Sequence, residues 1–389
     1  MTLDRFLCLD DFEPAARAHL PRPLFEYVSG GVQDNRSRAH NRTTFDDWQL
    51  VPRVMVDISG RSSEQTLFDQ TWSAPFGIAP MGICALTAYR GDAVLAQAAQ
   101  AARIPMIMSG SSLMRLEDII ALNPQAWFQA YLPGRQPEID ALIDRVARAG
   151  VGTLVITVDT PASANRENNL RAGFSTPLRP SLALAWQGLS HPRWLLGTFT
   201  RTLLQHGMPH FENNAATRGA PIVSRTVARD MASRGHFTWT NLRRIREQWR
   251  GRLVVKGILH ADDARQACDV GADGIIVSNH GGRQLDGAVS PLRVLPGIVA
   301  ACPDTVVMMD SGVRRGTDAL KALALGARLV FVGRPFNYAA AVGGLAGAAR
   351  AAYLLQQEIL RDMAMLGINQ LDELGPALLW PQPGQRQQA

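Results

Sequence analysis

Eight short apolar runs recur along the 389-residue chain, and they constrain its fold more than any other feature. Each run is apolar without alternation, which is typical of strands covered on both faces, as in a parallel sheet. Most runs begin roughly 20–30 residues after the preceding one, the spacing of a repeated strand–helix unit. In chain order the runs are 76–80 (FGIAP), 106–109 (MIMS), 127–131 (WFQAY), 153–159 (TLVITVD), 253–257 (LVVKG), 274–279 (GIIVSN), 306–310 (VVMMD) and 329–333 (LVFVG).

The repeat predicts one α/β domain, 1–389, folded as a (β/α)8 TIM barrel. Alanine-rich helix patterns lie between the runs, and several end in Gly, the common helix C-cap. A doubly wound sheet also binds ligands at strand ends, but eight near-regular units favour a closed barrel. The fourth and fifth runs are much further apart than the others, which predicts an insertion at 165–240. We expect residues 1–70 to cover the barrel and residues 370–389 to form a mobile tail.

Composition excludes several classes of protein. The four cysteines form no C-x-x-C pair, so we expect no disulfide framework and no metal site, and a reducing, cytoplasmic location fits. The N-terminus lacks the pattern of a secretory signal, and no run of eighteen apolar residues predicts a transmembrane helix. The net charge of +6 is compatible with anionic ligands. Because the basic residues form no clusters, nucleic acid is not an expected partner.

In a barrel of this kind the active site lies where the carboxyl ends of the strands meet. His280, in the glycine-rich loop after the sixth run, titrates near neutrality and suits a general base. Asp159 follows the fourth run on the same face and can raise the basicity of that histidine. Arg283 can bind a carboxylate through two parallel hydrogen bonds. The alternative is that His280 has a structural role.

Two glycine–arginine segments follow the last two runs, DSGVRRG at 310–316 and GRP at 333–335. Glycine lets backbone N–H groups approach an anion closely, and arginine supplies a fork of donors. Since barrel enzymes often bind phosphate after strands seven and eight, the pair predicts a phosphate site. Ordinary turns with solvated arginines are the alternative.

Lysine is almost absent from the chain: only Lys256 and Lys321 occur among 40 basic residues. Lys256 ends an apolar strand, where a charge is costly without a partner, so we expect an anionic ligand or an electron-rich ring beside it. A lysine that reaches solvent from the mouth of the barrel is the alternative. Lys321 lies in a helix pattern and is predicted to be a surface residue.

The motifs SNHGGRQLD, DSGVRRGTD, ALALGA and GRP resemble those of the FMN-dependent L-2-hydroxy acid oxidase and dehydrogenase family. The resemblance extends from about residue 21 to residue 367. The stretches at 191–194 (HPRW), 206–209 (HGMP) and 284–291 (QLDGAVSP) favour the membrane-associated dehydrogenases of this family, those for mandelate first and those for lactate second. The resemblance implies an FMN-dependent oxidation of an L-2-hydroxy acid to the 2-oxo acid, in a homotetramer.

The resemblance also implies roles for particular residues. His280 is the base, Asp159 orients it and stabilises its imidazolium form, and Tyr131 stands near the substrate hydroxyl. The implied ligands of the substrate carboxylate are Arg166, Arg283 and Tyr27. The backbone around Ala79, Pro80, Met81 and Gly82 faces the flavin N5 side. The other implied FMN ligands are Ser109, Gln129 and Thr157 at the isoalloxazine edge, Lys256 at N1–O2, Ser278, and, at the ribityl and phosphate end, Asp310, Ser311, Gly312, Arg314, Gly333 and Arg334.

Departures from the family pattern concern the substrate and the electron acceptor. Asn165 and Asn168 stand where many relatives have arginine, and Ser311 stands where many have glycine. Gly82 is typical of the dehydrogenases, so a quinone or another acceptor is expected rather than oxygen. The rival classes are an oxygen-using oxidase of the same family, an FMN barrel isomerase and a non-catalytic flavin-binding barrel. The pair His280 and Arg283, with Tyr27 and Tyr131, argues against the isomerase. The intact Asp159, His280 and Arg283 argue against the non-catalytic barrel.

The segment 182–210 of the insertion combines aromatic, apolar and basic residues. Such a combination suits a segment that lies in a membrane interface, which predicts a peripheral association with the inner face of the cell membrane. A lid packed on the barrel is the alternative.

Overall fold

The computed structural model describes residues 3–224 and 235–381. Eight parallel strands in this part of the chain form one sheet, in which each strand pairs with its sequence neighbour. The last strand pairs with the first through Val332 and Ile78, and a single bridge from Ile78 to Met106 joins the first and second strands. The strands are β1 (Phe76–Ile78), β2 (Ile107–Ser109), β3 (Trp127–Ala130), β4 (Thr153–Thr157), β5 (Arg252–Ile258), β6 (Gly274–Val277), β7 (Val306–Met309) and β8 (Val330–Val332). The predicted TIM barrel is therefore confirmed.

The lack of alternation along the strands has a direct structural cause. Val155, Val254 and Ile276 point into a cluster at the centre of the barrel. Their neighbours Leu154 and Val255 point outward into the larger cluster between the strands and the helices. Both faces of each strand are thus apolar, which removes the polar positions that a half-exposed strand would have.

The helices surround the barrel, and the most extensive helix–helix contact joins Arg334–Leu366 to Gly91–Ala101. Short 3-10 segments lie at Leu3–Arg5, Leu9–Asp11, Thr44–Asp47, Leu371–Glu373 and Pro376–Leu378. The α-helices are α1 (Phe12–His19), α2 (Arg22–Ser29), α3 (Arg36–Thr43), α4 (Cys84–Thr87), α5 (Gly91–Ala101), α6 (Leu116–Leu122), α7 (Gln136–Arg148), α8 (Glu167–Arg171), α9 (Leu182–Leu189), α10 (Pro192–Trp194), α11 (Arg201–His206), α12 (Trp239–Gln248), α13 (Ala261–Asp269), α14 (Pro291–Ala301), α15 (Gly316–Ala324) and α16 (Arg334–Leu366).

The N-terminal helices lie against the loops that follow β6 and β7. Asn41, in α3, exchanges two side-chain hydrogen bonds of 2.7–2.8 Å with Asn279. Arg42 forms a 2.6 Å ion pair with Asp318, at the start of α15. A separate hairpin, Gln65–Leu67 with Gln70–Trp72, contributes Leu67 and Trp72 to the central cluster of the barrel. The chain before β1 thus contributes to the apolar centre of the barrel and supports the loops at the carboxyl ends of its strands.

The long connection between β4 and β5 contains α8 to α12, and its residues 225–234 lie outside the described part of the chain. A π-helical turn, Leu195–Thr200, joins α10 to α11. Trp194 is buried and its indole Nε1 donates a 2.8 Å hydrogen bond to the Leu86 carbonyl oxygen, so this part of the insertion packs on the barrel. The apolar side chains of α9 instead face solvent, with Leu182 92% and Trp186 67% exposed.

Two expectations need correction, those for the tail and for Lys321, and the composition of helix α16 needs an explanation. Helix α16 is long and apolar enough, by length and composition alone, to cross a membrane, although the chain has no such run by simple count. It bends at Gly344 (φ +56°), and 56% of its most apolar 18-residue stretch is buried inside the protein, so packing explains its composition.

The tail is ordered as far as residue 381, because Leu379–Pro381 pairs with Trp48–Leu50. Residues 382–389 lie outside the described part of the chain.

Lys321 is the other expectation that needs correction. Its ammonium donates a 2.9 Å hydrogen bond to the Phe45 carbonyl oxygen, and burial lowers the pKa of this lysine. It therefore ties α15 to the N-terminal segment and is not a plain surface residue.

Candidate active site at the carboxyl end of the barrel

A cavity of about 480 Å³ opens where the carboxyl ends of the strands meet. Most residues predicted for the site line it, although they come from distant parts of the chain. These are Tyr27, Ala79, Pro80, Met81, Gly82, Tyr131, Thr157, Arg166, Lys256, His280, Arg283, Asp310, Ser311, Gly312, Arg314, Gly333 and Arg334. Asp159, Ser109, Gln129 and Ser278 do not line the cavity.

His280 and Asp159 form a hydrogen-bonded pair, with 2.9 Å between Nδ1 and Oδ1. Burial lowers the pKa of His280 below its ordinary value, despite the opposing effect of the carboxylate. Burial alone would raise the pKa of Asp159, but His280, with Lys256 nearby, lowers it. At neutral pH the carboxylate is therefore charged and the imidazole neutral. Since Nδ1 donates to the carboxylate, the lone pair is on Nε2.

The Nε2 atom of His280 faces the cavity beside Tyr131, whose hydroxyl lies 3.3 Å away. Burial, and then the Asp159 carboxylate, raise the pKa of Tyr131, so the phenol is neutral. The His280 backbone has a φ of +58°, and a 3.0 Å hydrogen bond from its N–H to Ser278 Oγ helps to hold that conformation. Left-handed backbone at a non-glycine residue persists where the surroundings enforce it, often at functional sites.

Lys256 is buried within the end of β5, and its partner is Asp310. Its Nζ atom lies 2.8 Å from Asp310 Oδ2 and 2.7 Å from Ser278 Oγ. Burial alone would lower the pKa of this lysine, but the Asp310 and Asp159 carboxylates raise it above its ordinary value. The lysine is thus charged and does not reach solvent. The expected anion beside it includes a residue of the chain itself, which the sequence pattern did not identify.

Two arginines converge at the other end of the cavity. Arg283 donates a 2.7 Å hydrogen bond to the Gly30 carbonyl oxygen and lies 5.2 Å above the Tyr27 ring. Arg166 donates through Nε to the Arg283 carbonyl oxygen, at 3.1 Å, and through Nη2 to Gln284 Oε1, at 2.6 Å. Burial, and then the neighbouring Arg166, lower the pKa of Arg283 to about 10. Two guanidinium groups this close together favour an anionic ligand between them.

The loops after β7 and β8 form the second region that was predicted to bind an anion. Ser311 (φ +78°) and Gly312 (φ +104°) form a left-handed turn, and a Cβ at Gly312 would lie 2.1 Å from the Asn41 carbonyl oxygen. Arg334 donates to the carbonyl oxygens of Val28, at 2.9 Å, and of Gly281, at 3.0 Å. Packing against the N-terminal segment therefore requires glycine at 312, and the phosphate site at this turn stays a prediction.

The positive charges around the cavity are only partly balanced by carboxylates of the protein. Within residues 3–224 and 235–381, Arg166, Arg283 and Arg334 bond to uncharged oxygens, and none forms an ion pair with a carboxylate. Burial lowers the pKa of Arg334 well below its ordinary value. Buried guanidinium groups without a carboxylate partner are costly unless a ligand supplies the negative charge.

The wall formed by β2, β3 and β4 carries polar atoms that need a ligand. The Gln129 Nε2 and Thr157 Oγ1 atoms are buried and have no hydrogen-bond partner among the described residues. Ser109 Oγ donates to Gln129 Oε1, at 3.2 Å, and so orients the amide. A polar edge here and an anion site after β7 and β8 fit the ring and the phosphate of FMN, so the donor set matches the predicted cofactor.

Several residues of the cavity were not predicted from the sequence. Leu170 and Phe174, from the insertion, form an apolar wall, and Phe174 stacks on Tyr27 with ring centroids 4.5 Å apart. Nothing in the spacing of these residues indicates a site. Asn168 instead turns away from the cavity, since its Nδ2 atom donates a 3.0 Å hydrogen bond to the Glu26 carbonyl oxygen. Gln284 lies in a motif that the sequence analysis singled out, but its contacts were not foreseen.

Comparison with known proteins agrees with this geometry. The family model for FMN-dependent dehydrogenase matches residues 16–381. The chain is 35% identical to (S)-mandelate dehydrogenase of Pseudomonas putida, over 95% of this chain and 93% of that protein. It is 39% identical to an L-lactate dehydrogenase of Pseudomonas entomophila (strain L48), over 94% and 95% of the two chains.

The fold comparison leads to the same family. The crystal structure of the monotopic membrane protein (S)-mandelate dehydrogenase superposes with a TM-score of 0.88 and 35% identity, over 97% of this chain and 100% of that chain. A mandelate oxidase superposes with a TM-score of 0.79 and 32% identity, over 97% and 99% of the two chains. The chain therefore belongs to the family of FMN-dependent 2-hydroxy acid dehydrogenases, which are oxidoreductases.

Proposed function

We propose that this protein oxidises an L-2-hydroxy acid with an aryl side chain to the 2-oxo acid and passes the electrons to a membrane quinone. The observation that carries the proposal is the position of the neutral His280 Nε2 atom in a cavity that also holds Arg166 and Arg283. A base beside two carboxylate-binding cations is what the oxidation of a hydroxy acid needs.

FMN would occupy the part of the cavity between β1 and the polar wall. Thr157 and Lys256, which line the cavity, would hold the edge of the ring, and the turn at Gly312 with Arg334 would hold the phosphate. When bound, FMN supplies the acceptor for the two electrons that leave the substrate.

The chain's own residues would bind the substrate and move a proton. Arg283 and Arg166 would bind the carboxylate, and Tyr27 would add a hydrogen bond. His280 Nε2 would then take one proton from the substrate. The resulting imidazolium ion would be stabilised by the Asp159 carboxylate, whose Oδ1 atom lies 2.9 Å from His280 Nδ1.

The side-chain wall supports an aryl substrate. Leu170, Phe174 and Met81 line the cavity, Phe174 stacks on Tyr27, and an aromatic ring is a ligand that would bury apolar area against them. The similarity to L-lactate dehydrogenases, at 39% identity, makes lactate the second candidate.

The test is anaerobic mixing of the FMN-loaded protein with (S)-mandelate, L-lactate and glycolate in turn. We expect (S)-mandelate to bleach the flavin absorbance fastest, because it is the only one of the three substrates with an aromatic ring that can pack against the apolar side chains of the cavity. Faster bleaching by lactate would make this protein a lactate dehydrogenase. No bleaching by any of the three would favour the isomerase or the non-catalytic flavin barrel.

The same reduced protein tests the acceptor. A methyl group at Gly82 would lie 2.9 Å from the Tyr27 hydroxyl and 3.0 Å from Ser111 Cβ, so this position is crowded around a bare glycine. Glycine here supports a dehydrogenase by analogy with the family. Reoxidation by a soluble quinone should therefore be faster than reoxidation by air, and the opposite order would make the protein an oxidase.

We also propose that α9 contacts the inner face of the cell membrane. Leu182, Trp186 and Leu189 follow one another at helical spacing and are 92%, 67% and 64% exposed. Nearby arginines would face anionic lipid headgroups, and the similar mandelate dehydrogenase is a monotopic membrane protein. The homotetramer stays a prediction from the family resemblance.

Replacing Leu182, Trp186 and Leu189 together by Ser tests this contact. We expect binding to vesicles that contain anionic lipid to fall at least about tenfold, since the apolar area that enters the interface is lost. The measurement is cosedimentation, with the flavin spectrum as a check on the fold. The control replaces Leu7 and Met365, which are 73% and 67% exposed elsewhere, by Ser. Equal binding of the α9 variant and the control would remove the proposed membrane contact.

Lys256→Arg tests whether the lysine beside the ring is specific. The charge is kept, but a guanidinium is broader, and the position is 3% exposed and closed by Asp310 and Ser278. We expect flavin reduction to slow at least about tenfold, since overpacking displaces the cation. Lys321→Arg, in the other lysine of the chain, should reduce the flavin at the wild-type rate. A wild-type rate in Lys256→Arg as well would mean that any cation suffices there.

A further inference from the structure

The Gln284 side chain links Asp159, the partner of the proposed base, to Arg166, a proposed ligand of the substrate carboxylate. Its Nε2 atom donates a 3.0 Å hydrogen bond to the Asp159 carbonyl oxygen, and its Oε1 atom accepts a 2.6 Å hydrogen bond from Arg166 Nη2. The same residue therefore contacts Asp159, whose side chain orients the proposed base His280, and Arg166, which would bind the substrate carboxylate.

The orientation of this amide follows from the chemistry of its partners. A backbone carbonyl can only accept a hydrogen bond, and a guanidinium can only donate one. The NH2 end of Gln284 must therefore face Asp159, and its oxygen must face Arg166. A residue with a donor at one end and an acceptor at the other is needed to make both bonds.

Arg166 depends on this neighbour because it lies outside the barrel strands. It stands at the N-terminal end of α8, in the long insertion. Its two described side-chain hydrogen bonds go to consecutive residues of the β6 loop, the Arg283 carbonyl oxygen at 3.1 Å and Gln284 Oε1 at 2.6 Å. These bonds fix the direction of the guanidinium relative to His280, which belongs to the same loop.

The neutrality of the amide is as important as its geometry. A Glu at this position would keep a hydrogen bond to Arg166 but would form an ion pair with it and consume its charge. The second oxygen of the carboxylate would also face the Asp159 carbonyl oxygen, where two acceptors repel each other. The amide orients Arg166 and leaves its positive charge for a ligand.

We propose that Gln284 is a positioning residue, which orients Arg166 relative to the His280–Asp159 pair while leaving its charge available for the substrate carboxylate. The inference rests on the proposed function only for the identity of the substrate. Binding of a carboxylate that is not oxidised can be measured separately.

The experiment compares Gln284→Glu and Gln284→Met in the FMN-loaded protein. The probe is oxalate, whose binding is followed by the change in flavin absorbance, and the anaerobic flavin reduction by (S)-mandelate is measured alongside. For Gln284→Glu we expect the oxalate Kd to rise at least about tenfold, because the Arg166 charge is neutralised. For Gln284→Met we expect a smaller rise, because the charge stays and only its orientation is lost. In both variants KM should change more than the limiting rate of reduction.

Two controls separate positioning from a general structural effect. Gln356→Glu makes the same change in α16, where Nε2 donates a 3.0 Å hydrogen bond to the Ser73 carbonyl oxygen, and should leave the oxalate Kd unchanged. In a protein that already carries Arg166→Met, Gln284→Glu should raise the oxalate Kd much less than it does in the wild type, since the residue acts through Arg166.

Three results would overturn the inference: an oxalate Kd within about twofold of wild type in both Gln284 variants, an equal rise in both, or an undiminished effect of Gln284→Glu when Arg166 is already Met. If either Gln284 variant does not fold, Arg166→Met alone decides. A wild-type oxalate Kd in that variant contradicts the inference, and a raised one supports it. A wild type that binds oxalate but is not reduced by any hydroxy acid would contradict the proposed function and leave the role of Gln284 intact.

Discussion

Closure of the parallel barrel is the constraint on which the rest of the structure depends. The pairing of β8 with β1 brings all the strand carboxyl ends to one rim. Asp159 and His280 lie 121 residues apart in the chain and 2.9 Å apart at that rim. The strands are short and apolar on both faces, so their ends are the first positions at which a polar side chain is tolerated. The same geometry that makes the barrel stable thus gathers the charged groups.

The charges at the rim fall into two kinds. Lys256 is paired with Asp310, and His280 with Asp159, so contacts and burial within the protein keep Lys256 charged and His280 neutral. Arg166, Arg283 and Arg334 have only uncharged partners in the described part of the chain. The paired groups are suited to orienting a ligand and transferring a proton, and the arginines are suited to binding anions. This division explains how one cavity can hold a phosphate-bearing cofactor and a carboxylate substrate.

The sequence predicted the features that depend on local pattern and on chain order. The eight apolar runs predicted the strands, and residues at or just after their ends, such as Lys256 and His280, line the cavity. Contacts that depend on a side chain reaching across the rim could not be predicted in this way. The pairing of Lys256 with Asp310 and the link from Gln284 to Arg166 are of that kind, because no spacing in the chain records them. The insertion was the least predictable part, since Phe174 reaches the cavity from a segment with no repeat.

The central claim is that a neutral His280, oriented by Asp159, removes a proton from a hydroxy acid. The most direct test is the rate of anaerobic flavin reduction by (S)-mandelate as a function of pH, in the wild type and in His280→Gln. In the wild type the rate should rise with pH as the imidazolium loses its proton and then level off, and the midpoint of the rise should lie below that of an ordinary imidazole, because burial lowers the pKa of His280. The variant should retain its yellow FMN and be reduced at least about a hundredfold more slowly, with no such rise. Wild-type reduction by His280→Gln, or a wild-type rate that falls as the pH rises through this range, would contradict the account.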